Sequence, residues 1–239
     1  MTVKKKTLIL LSILFVFMLA AALVIRFTTN EFKGFLEDNH FTFEMKSSDL
    51  MALRDKYVFE GKKLSEITNV IHYNGINAGT SCYGGGNFGL ESVVKQDGDR
   101  VVFSDFIHTG VKLGGLVLPY GIEFGDSIET VCFKVGFWGS PHKQFEGDYN
   151  GSGVLDLKCL YGFTLKLTDL SRIQVEIPSA VQVLSPEHSY MLEYAEVEED
   201  TLEDGRPVVS RRYVQLLFEH GTNKLVWVII GVKQELSPM

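Results

Sequence analysis

The chain has 239 residues, of which 45% are hydrophobic and 22% charged, a composition typical of a folded protein with a sizeable core. Residues 1–26 hold four basic residues and no acid, so the remaining 19 basic and 30 acidic residues give the rest of the chain a net charge of −11. This balance makes nucleic acid an unsuitable partner, because phosphates require a basic surface.

A long apolar stretch, residues 7–25, carries no charge, proline or glycine. As an α-helix it would be about 28 Å long, close to the ~30 Å hydrocarbon core of a bilayer. Lys4, Lys5 and Lys6 precede it, which predicts a cytoplasmic N-terminus. We therefore predict a single-pass protein, with a cytoplasmic stub and signal anchor over 1–26 that contacts the membrane through 7–25.

A cleaved signal peptide is the alternative for this stretch. Residues 20–22 are three alanines, a small-residue pattern typical of a cleavage site, and 7–19 would be the apolar region before it. The protein would then be secreted after cleavage near Ala22. The apolar run continues to Ile25 without a helix breaker, which favours the uncleaved anchor. Both interpretations place the rest of the chain outside the cytoplasm.

The segment after the anchor divides into a juxtamembrane part, 27–46, and a domain, 47–239. Residues 27–39 either extend the anchor helix or form a short amphipathic collar, and alternation over 41–46 predicts a strand. Two short helices are expected next, over 50–57 and 64–73.

The sequence NAGTSCYGGGNFG, residues 77–89, follows the second expected helix. Its glycines favour a flexible joint before a hairpin, since Asp97-Gly98 is typical of a tight turn between alternating strands. A further strand is expected over 111–119.

A third helix is expected after Gly125. Asp126 or Ser127 would cap it and Gly136 would end it. Its apolar positions recur at helical spacing: Ile128, Val131, Cys132 and Val135.

The remainder of the chain is mostly strand. Alternating patterns predict strands over 154–162, 163–168, 172–179, 188–197, 211–220 and 224–233. The last two are expected to form a hairpin through residues 221–223, with Val226, Val228 and Ile230 on one face. Residues 67–75 and 128–136 align at an offset of 61, which suggests two tandem helix-plus-sheet units, 47–118 and 119–239.

The stretch around residues 118–141 resembles a pattern that opens helices in β-lactamase-inhibitory-protein-like and BamE-like extracytoplasmic α+β binding domains. The residues that carry the resemblance are Pro119, Gly121, Ile122, Gly125, Asp126, Val131, Gly136 and Pro141. It implies a non-catalytic binding module built from helices on an antiparallel sheet, and it supplies no catalytic residue.

Cys82 is the candidate nucleophile of the glycine-rich stretch. A cysteine hydrolase or transpeptidase would need a histidine base, for which His72, His108 and His220 are candidates, and backbone N–H groups around the glycines for an oxyanion. No phosphate-binding glycine motif is present, and no cysteine-protease motif surrounds Cys82. The alternative is a structural cysteine in a connection.

Asp148, Asn150 and Ser152 stand at positions 1, 3 and 5 of a calcium-loop pattern. Cys159 occupies position 12, where such loops have an acid, so a plain turn is the alternative to a calcium-dependent surface module.

Two further features have structural and functional interpretations. The acidic run over 193–204 is either a docking surface for a basic partner or the solvated end of a hairpin. Cys132 and Cys159 are expected to point into one core, where they form a disulfide or pack as small apolar residues.

These patterns predict an α+β protein, with short helices packed on a mostly antiparallel sheet behind an N-terminal membrane helix. They favour a membrane-anchored, non-enzymatic module that binds another protein, without a cofactor. The hydrolase and the calcium-dependent module remain the alternatives.

Overall fold

The computed structural model describes residues 10–21, 29–39, 41, 43, 58–59, 62–63, 69–73, 78–83, 90–97, 100–108, 117–141, 153–171, 188–201 and 205–236. Between residues 58 and 108, and at His188, only the backbone is described. Residues 10–21 are helical and their side chains are exposed. Among the described residues, no helix has both the length and the hydropathy needed to cross a membrane.

The described strands form one antiparallel sheet in the order β3-β4-β5-β6-β11-β10-β9-β8-β7, beside a separate pair, β1 and β2. Their bounds are β1 Val58–Phe59, β2 Lys62–Lys63, β3 Asn69–Tyr73, β4 Ala78–Tyr83, β5 Leu90–Asp97, β6 Arg100–His108, β7 Val154–Lys158, β8 Thr164–Asp169, β9 His188–Thr201, β10 Pro207–Glu219 and β11 Leu225–Leu236.

Two described helices pack on this sheet, α1 (Glu31–Asp38) and α2 (Ile128–Lys134), and a 3-10 turn (Pro119–Gly121) lies between them in sequence. Together they confirm the α+β class. The Ser127 side chain accepts a hydrogen bond from the Thr130 N–H at 3.2 Å, so Ser127 is the N-cap of α2.

The main core lies between the helices and one face of the sheet. The expected apolar face of α2 is confirmed, since Ile128, Val131, Cys132 and Val135 are all fully buried. Alternate positions of the strands face this core, and the opposite face holds a second buried cluster: Met191, Tyr213, Leu217, Trp227 and Ile229.

The prediction of a helix over 64–73 is wrong, because Asn69–Tyr73 is strand β3. β-Branched Val70 and Ile71 suit a strand, and β3 pairs with β4 along its length. The comparison of 67–75 with 128–136 as two equivalent helices is wrong for the same reason, since only the second segment is helical.

Three other local expectations also fail. The stretch predicted as a flexible joint contains strand β4, Ala78–Tyr83. Phe41 and Phe43 are not in a strand, because the Phe41 N–H bonds the Leu36 carbonyl at 2.9 Å and closes the end of α1. Val117 and Leu118 lead into the 3-10 turn instead of ending a strand. Residues 50–57, 111–116 and 172–179 lie outside the described part of the chain.

Both expected hairpins are confirmed. Asp97 pairs with Arg100 at the end of β5 and β6, and β10 pairs with β11 around the turn at 221–223. The shared face predicted for Val226, Val228 and Ile230 is only partly correct. A bulge interrupts the β10–β11 register between Leu217 and Phe218, so Val226 packs on the second cluster while Val228 and Ile230 face the main core.

Candidate functional site

Helix α1 is seated on the sheet by one apolar face. Phe32, Phe35 and Leu36 recur at helical spacing and are buried. The Asn30 side chain caps the helix by accepting a hydrogen bond from the Lys33 N–H at 3.2 Å. This helix follows the predicted anchor closely in sequence. We call the described residues between 29 and 43 the docked segment.

Aromatic side chains surround Phe32, which is 1% exposed. Its ring lies 5.4 Å from Tyr194, 5.4 Å from Tyr120 and 5.8 Å from Phe163, measured between ring centroids. Tyr120 also stacks on Tyr161 at 5.0 Å. The cluster therefore joins α1, the 3-10 turn, the β7–β8 turn and strand β9.

Tyr120 also bonds the docked segment through polar atoms. Its hydroxyl accepts from the Glu31 N–H at 2.9 Å and donates to the Thr29 carbonyl at 3.1 Å, and its own N–H donates to the Glu31 carboxylate at 2.5 Å. Burial raises the pKa of Tyr120, which keeps the hydroxyl protonated. Tyr120 has a φ of +56°, a left-handed conformation that costs energy in a non-glycine residue and is maintained here by these contacts.

Arg212 of β10 is 6% exposed and points at the docked segment. Its guanidinium donates to Glu196 (Nε–Oε2 2.6 Å), to Glu37 of α1 at 3.3 Å and to the Phe41 carbonyl at 3.2 Å. It also lies 4.8 Å from the centroid of the Phe43 ring. A buried charge with this many partners fixes the C-terminal end of α1 to the sheet.

Tyr194 connects the N-terminal end of α1 to the Glu196 carboxylate, which Arg212 also binds. Its hydroxyl donates to Glu196 at 2.8 Å and accepts from the Asn30 side-chain amide at 2.9 Å. Burial raises the pKa of Tyr194. Asn30, Glu37, Tyr194, Glu196 and Arg212 therefore form one connected group, which we call the Arg212 network.

An exposed apolar patch lies at the C-terminal end of α2. Phe133 is 69% exposed, Trp138 74% and Leu160 52%. Gly136 places their backbones near one another: its N–H bonds the Phe133 carbonyl at 3.1 Å, its carbonyl accepts from the Leu160 N–H at 3.0 Å, and Trp138 follows two residues later. Its φ of +76° turns the chain there. We call Phe133, Trp138 and Leu160 the apolar patch.

Cys82, the predicted nucleophile, lies in strand β4, next to the edge strand β3, rather than in a loop. It pairs with Asn69 of β3 and Glu91 of β5. His72 pairs with Gly79, three positions along β4. The backbone register therefore does not place His72 opposite Cys82.

The other two candidate bases are also not paired with Cys82. His108 lies at the end of β6, where it pairs with Leu90 and Val228. His220 is exposed in the turn after β10.

The calcium candidates Asp148, Asn150 and Ser152 lie outside the described residues. Cys132 and Cys159 both belong to the main core, as expected, and are free thiols. Burial raises the pKa of Cys132 and raises that of Cys159 to about 12, which suppresses thiolate chemistry at neutral pH.

The acidic run has two different environments. Glu193 is buried and bonded to Arg211 and Gln215 on the face of the sheet opposite α1. By contrast, Glu198, Glu199 and Asp200 are exposed at the end of β9. Both interpretations of the acidic run therefore apply to the second group only, and neither anticipated the buried position of Glu193.

Sequence reasoning missed the Arg212 network, although one signal was present. In strand β10 the positions Arg212, Val214, Leu216 and Phe218 alternate onto one face, so a charge occupies a core-facing position. Such a charge requires buried partners. The sequence does not say that a carboxylate of α1, 175 residues away, would be one of them.

Comparison with known proteins gives no match for this chain among family models, curated proteins or solved structures. The role of the site is therefore inferred from its geometry.

Proposed function

We propose that the chain is a membrane-anchored extracytoplasmic module that binds another protein and catalyses no reaction itself. The observation that supports this most directly is the docked segment. Residues that follow the predicted anchor are packed onto the sheet by Phe32 and by the Arg212 network. A simple flexible tether would need neither the buried charge nor the aromatic cluster.

The short connection limits how far the domain can move from the bilayer. Only residues 26–28 lie between the predicted membrane segment, 7–25, and Thr29. Fully extended, three residues span about 10 Å. A domain on such a tether presents its surfaces close to the membrane, which suits a protein that holds a partner there.

The exposed carboxylates at the end of β9 are the surface on which we expect the partner. Glu198, Glu199 and Asp200 lie in a protein whose net charge beyond residue 26 is −11, so a basic protein surface would be attracted. The resemblance around residues 118–141 to extracytoplasmic binding domains supports a binding role of this kind.

Two measurements on the full chain test the anchor. Alkaline extraction of membranes should leave the protein in the pellet, and its intact mass should include residues 1–26. Release into the supernatant with loss of about 22 residues would establish the cleaved, secreted alternative instead.

Site-specific crosslinking tests the partner surface. A photoreactive residue at Glu199 should capture a discrete protein, whereas one at Glu129, an exposed acid on α2 beside the turn at the opposite end of β10, should not. Equal capture at both positions, or none at Glu199, would contradict the binding proposal.

A further inference from the structure

We infer that the apolar patch contacts the lipid–water interface of the membrane in which the chain is anchored. The inference rests on the proposed anchoring and extends it from a tether to a fixed orientation. The ligand is the interfacial region of a bilayer with neutral headgroups.

The patch lies beside the point where the chain enters the domain. Thr29, the first described residue after the apolar helix, accepts from the Tyr120 hydroxyl at 3.1 Å, and the Tyr120 ring stacks on Tyr161 at 5.0 Å. Tyr161 is the neighbour of Leu160, whose N–H bonds Gly136. Two aromatic rings therefore separate the entry point from the patch, so a bilayer reached through residues 26–28 is close to it.

The composition of the patch suits the interface. Tryptophan and other aromatic side chains concentrate where the headgroups meet the acyl chains, because their rings are apolar but tolerate water at one edge. An exposed group of Trp, Phe and Leu on a soluble surface marks an interaction site. Ile128, Val131 and Cys132 bury the other side of α2 in the core, and Phe133 lies on its exposed side.

The charges nearby indicate neutral rather than anionic lipid. The Lys134 ammonium donates to the Asp126 carboxylate at 2.7 Å and to the Gly121 carbonyl at 2.6 Å. The cation next to Phe133 is therefore already paired within the protein. The domain as a whole is acidic, so anionic headgroups should repel it.

The two tryptophans of the chain allow a direct test. Trp138 is 74% exposed, whereas Trp227 is 8% exposed in the second cluster. The full chain carrying Trp227→Phe is reconstituted in phosphatidylcholine vesicles with and without bromine on the acyl chains near the interface. We expect a loss of Trp138 emission with brominated lipid, because an indole at the interface lies beside the bromine atoms.

Matched variants separate the patch from the rest of the protein. The Trp138→Phe variant, which retains Trp227, should show little quenching. Serine at Phe133 and Leu160, both exposed, should reduce the quenching of Trp138 without unfolding the domain. Replacing part of the lipid with anionic phosphatidylglycerol should also reduce it.

Vesicle flotation distinguishes the two possible failures. If the protein floats but Trp138 emission is the same in both lipids, the patch does not contact the bilayer and this inference is wrong, while anchoring stands. A surface that binds a second copy or another protein would give that result. If the protein does not float, the anchoring proposal fails as well.

Discussion

Replacement of Arg212 by methionine tests how the docked segment is held. Methionine fills much of the same volume but removes the guanidinium that bonds Glu196, Glu37 and the Phe41 carbonyl. The Glu196 carboxylate would then remain in a partly buried site with only the Tyr194 hydroxyl as a described partner.

The two carboxylates should contribute very differently. Removing one partner of a buried ion pair typically costs about 3–5 kcal/mol, because the other charge is left uncompensated. Glu37 has a side chain that is 52% exposed, and exposed pairs contribute only about 0–1 kcal/mol. We therefore expect Arg212→Met to lower the free energy of unfolding by about 3–5 kcal/mol, and Glu37→Gln by less than about 1 kcal/mol.

Urea unfolding of the full chain in detergent, followed by circular dichroism, measures these differences. Lys233→Met is the matched control and should cost less than about 1 kcal/mol, since Lys233 forms an exposed pair with Glu235 of the same strand, β11. An Arg212→Met protein as stable as the control would refute the proposed role of Arg212.

Three further changes have defined outcomes in the same unfolding assay. Phe32→Ala should cost about 3–5 kcal/mol, as for other large buried side chains; a cost below about 1 kcal/mol would mean that α1 is not packed on the core. Gly136→Ala should destabilise more than Gly162→Ala: both have positive φ, but a Cβ at Gly136 would lie 2.7 Å from the Tyr161 ring, whereas at Gly162 nothing lies within 4 Å. Equal costs would contradict this packing. Stability should fall as pH rises from about 9 towards 12, because the unfolded chain loses the Cys159 thiol proton first and the folded pKa is about 12. Cys159→Ala should reduce that slope, and an unchanged slope would assign it to other groups.

Local rules predicted those parts of the fold in which one segment determines its own structure. Helix α2 has the apolar face of four residues and the terminating glycine that were expected, and Ser127, one of the two predicted caps, is its N-cap. The β10–β11 hairpin has a polar turn between alternating strands. In these segments, propensity, periodicity and turn chemistry agree.

The predictions failed where a segment's environment decides its structure. Residues 67–71 have a spacing of apolar residues that fits a short helix, but pairing with β4 makes 69–73 a strand. The glycines near Cys82 indicated a loop, although residues 78–83 lie between two neighbouring strands. Over so few residues, the spacing of apolar side chains does not distinguish a short helix or a loop from a strand.

The candidate site was the least predictable feature, because its contacts join distant parts of the chain. Tyr120 and Glu31 are separated by 89 residues, and Arg212 and Phe41 by 171. No local pattern encodes such pairs. Arg212, a charged residue at a core-facing position of a strand, was the one local signal that such distant partners must exist.

Hydrogen exchange in α1 tests most directly whether the docked segment belongs to the folded domain. In the full chain in vesicles, we expect the amides of Gly34 and Asn39, which bond the carbonyls of Asn30 and Phe35, to exchange on the order of a thousandfold more slowly than in a free peptide. Their protection should approach that of β10. Exchange at free-peptide rates in α1, with β10 still protected, would show that the segment is only a tether and would contradict this account.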